Sequence, residues 1–216
     1  LALEHASDFA ASADNAIKRM CDIFASLLGI ILLTPVWIIV ALAVRLNDGG
    51  PAFFTQERVG LNGTTFTMFK FRTMRVDAEA MKASLVEANE ADSSAGNSIM
   101  FKMTNDPRIT RIGAFLRKTS IDELPQLFNV LRGDMSLVGP RPPLPSEVAQ
   151  YEPRVMGKFA VRPGITGLWQ ISGRSNLSWD ETVHLDLSYA QHRSLTLDAW
   201  IMLQTVPALL RHEGAY

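Results

Sequence analysis

From Ile23 to Val44 the chain carries no charged side chain, and Arg45 closes the run. Its 22 residues match the ~20 that a helix needs to cross a bilayer, so any fold of this chain must give the run lipid or a deep core. A secretory signal fits poorly, because the run is long for an h-region and no clear cleavage site follows it. Thr34-Pro35 falls in the middle of the run. Proline removes a backbone donor and clashes with the carbonyl four residues back, so a kink is expected there. Each half is then about 11 residues, or roughly 16 Å, too short to cross alone. Lys18 and Arg19 precede the run and Arg45 follows it. Positive residues prefer the cytoplasmic side, which would place both ends on that side. A re-entrant helix with a Pro-centred break satisfies these conditions. An ordinary kinked transmembrane helix and a buried soluble helix compete with it.

The length of 216 residues suits one medium domain. The 21 Lys and Arg nearly balance the 22 Asp and Glu, so the net charge of −1 argues against a nucleic-acid partner held by global charge. Cys21 is the single cysteine, which rules out an internal disulfide and a cysteine-based metal site. Residues 1–17 read as a tail or linker, 18–46 as the membrane helix and 47–216 as a cytosol-facing catalytic domain. The first residue is Leu1 rather than Met, which fits a boundary within something longer.

The expected fold is α+β and mainly helical. Asn47-Asp48-Gly49-Gly50-Pro51 marks a turn. Ala52–Arg58 and Thr65–Thr73 read as strands joined through Asn62-Gly63, a small β-hairpin. Alternation puts Lys70 and Arg72 on one face of the second strand and Phe69 and Phe71 on the other. The two cations are either a solvated face or a pair aimed at a phosphate. A polar helix is expected over Met74–Asn89, a flexible excursion over Ala91–Met103 and a short amphipathic helix over Ile109–Lys118. A central helix follows from Ile121 to Leu131, ended by Gly133. Ser178-Trp179-Asp180-Glu181 is a capping box that opens a helix to His192. The last helix, Thr196–Arg211, is amphipathic and suits either a membrane interface or a core.

Residues 117–126 read Arg-Lys-Thr-Ser-Ile-Asp-Glu-Leu-Pro-Gln. Taken alone, Ser120 and Glu123 form a capping box, with Asp122 at the positive end of the helix dipole. Adjacent carboxylates between basic segments could equally serve phosphate chemistry. In Gly139-Pro140-Arg141-Pro142-Pro143 three prolines stiffen the frame around Arg141, which pre-organises it for a phosphate. An incidental surface turn is the competing reading. Val161-Arg162-Pro163-Gly164-Ile165-Thr166-Gly167-Leu168-Trp169-Gln170 and Gly173-Arg174 read as functional loop more than scaffold. No GxGxxG or Walker-type loop occurs.

Together these segments resemble the bacterial monotopic phosphoglycosyl transferases, the bacterial sugar transferase family. The likeness covers Lys18 to Tyr216 and rests on many motifs in order. They include Thr34-Pro35, Lys70-Phe71-Arg72-Thr73-Met74, Asp106-Pro107-Arg108, Arg117 to Gln126, Gly133-Asp134-Met135-Ser136, Gly139 to Pro142 and Arg162 to Gly167. The resemblance implies transfer of a sugar 1-phosphate from a UDP-sugar to undecaprenyl phosphate, with release of UMP. It implies Asp122 as nucleophile of a covalent phosphosugar intermediate and Glu123 as a Mg²⁺ ligand. Lys70, Arg72, Arg117, Arg141 and Arg162 would bind substrate phosphates. The re-entrant helix, broken at Thr34-Pro35 where the family has Ser-Pro, and amphipathic interfacial helices would hold the chain on the cytoplasmic face of the bacterial inner membrane. Membrane lipid, a second copy in a homodimer and later glycosyltransferases of a polysaccharide pathway are the implied partners. Trp169 to Arg174 and the ending His212 to Tyr216 look most like members that transfer galactose or glucose 1-phosphate. A membrane-anchored scaffold with a decayed site is the alternative, and intact Asp122-Glu123 argues against it.

Overall fold

The computed structural model describes residues 2–82, 106–173 and 177–211. The excursion expected over Ala91–Met103, Arg174 and the ending from His212 lie outside the described residues. Helix α1 spans Ala2–Asp48, so the segment expected to be a tail is helical from Ala2. Helical backbone continues through Thr34-Pro35. Pro35 brings no N–H to the helix, and the Thr34 hydroxyl donates to Ile30 O at 2.7 Å.

This helix lies along the rest of the molecule rather than leaving it. Asp22, Ser26, Trp37, Val40 and Val44 are buried, and Gly29, Ile30 and Leu33 are half-buried between them, which makes one helical stripe. Trp37, Val40 and Val44 pack with Phe71, Leu116 and Leu127, and the Trp37 ring meets Phe71 and Phe128 edge-on. Burial of each such side chain contributes about 1.5–3 kcal/mol. The remaining faces stay open, with Phe24, Ile31, Leu32, Ile38, Ile39 and Leu42 all more than half exposed. Cations that sequence placed beside the membrane make folding contacts instead. Lys18 Nζ donates to the Asp198 carboxylate at 2.5 Å and to Val138 O at 3.2 Å. Arg19 donates to Val130 O and Leu131 O, late carbonyls of the helix that ends at Arg132.

Strands β1 (Phe53–Val59) and β2 (Thr65–Phe71) pair antiparallel with Phe53 opposite Phe71 and Val59 opposite Thr65. The hairpin is the expected one. A 3-10 turn at Leu61–Gly63 closes it, with Asn62 and Gly63 at positive φ. Phe71 stacks on Phe53 and faces the core, while Lys70 lies on the other face. Of the helix expected over Met74–Asn89, α2 forms at Ala78–Lys82, Met74 instead makes an isolated bridge with Ile109, and residues 83–89 lie outside the described residues.

Helix α3 (Arg111–Thr119) starts at Thr110, whose hydroxyl accepts from Gly113 N. Helix α4 (Gln126–Arg132) ends at Gly133, φ 95°, as its sequence implied. Asn129 ties α4 to β2: its amide donates to Thr67 O and its carbonyl accepts from Phe69 N. A second sheet was not foreseen. Strand β3 (Ser136–Val138) runs parallel to β4 (Gly164–Thr166), so the segment read as functional loop is partly scaffold. The backbones approach so closely that a Cβ on Gly164 would lie 2.0 Å from Gly139 N.

Short helices α5 (Pro145–Val148) and α6 (Leu168–Ile171) precede α7 (Trp179–His192) and α8 (Leu195–Arg211). The Ser178–Glu181 capping box forms as expected. Tyr189 of α7 places its hydroxyl against Asp198 and Val138 O, where Lys18 also docks, so α1, β3, α7 and α8 meet at one knot. Lys158 and Asp186, both buried, pair between the 3-10 segment Pro153–Ala160 and α7.

Candidate active site

Between α3 and α4 the chain departs from the single central helix expected there. Ser120 adopts a left-handed conformation, φ 55°, and closes α3 with its N–H on Arg117 O. A 3-10 turn at Ile121–Glu123 follows, and Pro125 then precedes α4. A non-glycine residue in that region costs about 1 kcal/mol, and the cost is met here because it turns the two carboxylates off the helix axis. The capping-box reading of Ser120 and Glu123 fails: the Ser120 side chain makes no cap bond. Glu123 instead accepts from Lys70 Nζ at 2.7 Å.

These residues border a cavity of about 790 Å³ between the hairpin, the α3–α4 junction, the Arg141 segment and α8. That volume is in the range of small-molecule sites. Asp122, Glu123, Lys70, Arg72, Arg117 and Arg141 all line it, so six residues singled out from sequence converge. Asp122 is only 7% exposed. Burial pushes its carboxyl up to about 6 against the pull of Lys70, with Glu123 adding to the rise and Arg117 opposing it. Arg117 is oriented by its Nε bond to Thr73 Oγ1 at 2.9 Å.

Arg72 and Arg162 have different surroundings. Arg72 lies in the cavity wall, but its guanidinium forks onto the Asp48 carboxylate and its Nε donates to Pro51 O. It clamps the end of α1 to the end of β2. Arg162 stands outside the described lining, with its Nε on Gly133 O at 2.9 Å. Arg141 is held by a two-point ion pair to Glu147, at 3.0 and 3.2 Å. Against burial, that guanidinium keeps Glu147 below its ordinary value, and Leu144 N bonds the same carboxylate.

Arg58 is a lining cation that sequence reasoning missed. It donates to Pro142 O and to Gln56 Oε1, and burial, then Arg141, pull it down to about 10. Applying to β1 the alternation used for β2 would have found it. Phe54 pairs with Lys70, so Phe54, Gln56 and Arg58 share the Lys70 face. Glu147 left no comparable signal, because it reaches Arg141 across a proline-rich turn.

The raised Asp122 carboxyl has a consequence for stability. Its ordinary value is 3.8 and its folded value about 6, so the native state holds the proton more tightly than the unfolded chain does. Ionisation therefore disfavours folding as pH rises through that window; the penalty is complete above about 6 and absent below about 4. Asp122→Asn should raise the melting temperature of the metal-free protein at alkaline pH and leave it unchanged in acid. Thermal unfolding in EDTA at both extremes checks this.

Residues 13–212 match the family model described as bacterial sugar transferase. The chain is 48% identical over 199 residues to "Galactosyl transferase CpsE" of Streptococcus agalactiae, covering 92% of this chain and 43% of that protein. It is 42% identical over 210 residues to "Undecaprenyl-phosphate galactose phosphotransferase" of Salmonella typhimurium, covering 97% and 44%. It thus spans less than half of those two relatives. "Exopolysaccharide production protein ExoY" of Sinorhizobium fredii is shorter: 40% identity over 199 residues covers 92% of this chain and 88% of that protein. The chain belongs to the bacterial sugar transferase family.

Proposed function

We propose that this chain transfers a hexose 1-phosphate, galactose or glucose, from a UDP-sugar to undecaprenyl phosphate and releases UMP. The relative named undecaprenyl-phosphate galactose phosphotransferase supports the substrate class. One observation carries the chemistry: a buried carboxylate, Asp122, borders a cavity that Lys70, Arg58, Arg117 and Arg141 also line. A carboxylate attacking a diphosphate needs such shielding from charge repulsion. In the first displacement an Asp122 oxygen bonds the sugar-bearing phosphorus, and the bond to the bridging oxygen breaks so that UMP leaves. In the second, the lipid phosphate oxygen attacks the same phosphorus and Asp122 departs as a carboxylate. One site thereby serves a soluble and a lipid substrate in turn.

Glu123 would hold Mg²⁺. No cluster of three ligand side chains occurs among the described residues. That suits Mg²⁺, which takes one or two carboxylates and completes its shell with water and substrate phosphates. When bound it neutralises phosphate charge. Lys70 now pairs with Glu123 and must yield that oxygen, leaving its ammonium for the diphosphate.

We further propose that α1 enters the membrane without crossing it. Its helix is apolar enough to span, and the contacts of both Lys18 and Val44 with the same domain support both ends lying on one side of the bilayer. Thr34-Pro35, with its missing N–H, is where it would bend. The UDP-sugar donor places that side in the cytoplasm.

UMP release from UDP-galactose and UDP-glucose in nanodiscs tests the activity. It should depend on added undecaprenyl phosphate for sustained turnover. Equal turnover without acceptor would mean a hydrolase, and none with any UDP-sugar would favour the scaffold.

A further inference from the structure

The cavity around Asp122 has an apolar part as well as a charged one. Phe54, Met202 and Leu209 line it together with the charged residues. Phe54 lies directly across the hairpin from Lys70, so the apolar wall begins beside the cation that pairs with Glu123. On α8, Met202, Thr205 and Leu209 recur at spacings of three and four and share one face. A hydrogen bond between Thr205 and Thr166 hydroxyls, 2.8 Å, fixes that face against β4. The neighbouring stripe of α8, Leu203, Val206 and Leu210, is 59–74% exposed. Phe54 and Met202 are themselves close to half exposed, so the mouth of the cavity is apolar on both sides.

A polyprenyl phosphate matches this division. Its phosphate must reach the phosphorus held at Asp122, and its first isoprene units are bonded directly to that phosphate. Those units therefore begin inside the cavity whatever course the remaining chain takes. Cations at one end and apolar side chains at the other are complementary to such a head and its first units.

We infer that Phe54, Met202 and Leu209 form the subsite for the isoprene units nearest the acceptor phosphate, and that α8 is the wall along which the rest of the chain leaves for lipid. This inference rests on the acceptor proposed above. It assigns to the hairpin and α8 a selection among lipid phosphates that the charged residues cannot make.

The test uses the full chain in nanodiscs and separates the two half-reactions. Donor labelling is followed without acceptor, and transfer is followed with farnesyl phosphate and with undecaprenyl phosphate. Phe54→Asn and Met202→Asn should each raise the acceptor KM about tenfold or more, the scale of lost apolar contact in a binding pocket. Donor labelling should keep its rate. Both lipids should suffer alike, since the short one already fills the subsite. Leu203→Asn, on the outward stripe, should leave the KM for farnesyl phosphate as it was. An unchanged acceptor KM in Phe54→Asn and Met202→Asn, with donor labelling intact, would overturn the subsite while leaving the transferase reading in place. An equal rise in the KM for farnesyl phosphate in Leu203→Asn would also overturn it, by pointing to membrane seating instead. Absence of donor labelling and of transfer in the wild type would overturn both.

Discussion

Asp122→Asn should abolish the proposed sugar phosphate transfer, with kcat falling by at least about a thousandfold, the scale seen when a covalent nucleophile is removed. The amide fills the same volume in the 3-10 turn, so the left-handed Ser120, the Lys70–Glu123 pair and the Arg117–Thr73 bond have no reason to move. Arg58, Arg117 and Arg141 still line the cavity, so on the proposed assignment UDP-sugar affinity should survive while turnover does not. That split separates loss of a nucleophile from collapse of the site. The variant should also fold more stably near neutral pH, because an ionised Asp122 is held there against its burial. A gain in stability with a loss of activity is what a strained catalytic group produces. Donor titration by calorimetry beside steady-state kinetics reads both quantities, and turnover within tenfold of wild type would exclude Asp122 as nucleophile.

The largest loss of stability is expected at a residue that does not line that cavity, in Lys158→Met. Lys158 and Asp186 have side chains 7% and 2% exposed and pair with each other. Removing one partner of a buried pair costs about 3–5 kcal/mol, because the remaining charge is left without compensation. For a chain of this size that corresponds to a fall in Tm of about 10 °C or more. Burial already raises the Asp186 carboxyl against the pull of Lys158, so the variant can limit its loss by protonating Asp186. The deficit should therefore shrink as pH is lowered. Lys158→Met with Asp186→Leu should recover most of the stability, since an apolar pair of similar volume removes the desolvation cost. Thermal unfolding of the two variants checks the argument, and a double variant no better than the single one would contradict it.

Much of the fold was legible because it follows from local rules. Asn62-Gly63 between alternating strands, Gly133 after α4 and the Ser178–Glu181 box each act within a few residues, and each formed where expected. What sequence could not give depends on distant partners. Arg19 caps α4 more than a hundred residues away, and Arg72 is spent on Asp48 because α1 ends beside β2. The β3–β4 pair has three residues in each strand, too few for a periodicity to register. Ser120 misled in a specific way. Its spacing to Glu123 is that of a capping box, but its left-handed backbone takes the side chain out of play and frees Glu123 for Lys70. The resemblance identified Asp122 and Glu123, and the structure adds the Arg58–Gln56 and Arg141–Glu147 framework around them.

The central claim is a covalent phosphosugar on Asp122, and intact-mass analysis tests it most directly. Purified protein in nanodiscs is incubated with Mg²⁺ and UDP-galactose or UDP-glucose, without acceptor. The account predicts a mass increase of one hexose phosphate in the wild type, absent in Asp122→Asn and lost on addition of undecaprenyl phosphate. No adduct with either sugar, in protein that still releases UMP once the lipid is added, would contradict it and leave direct transfer between the two substrates.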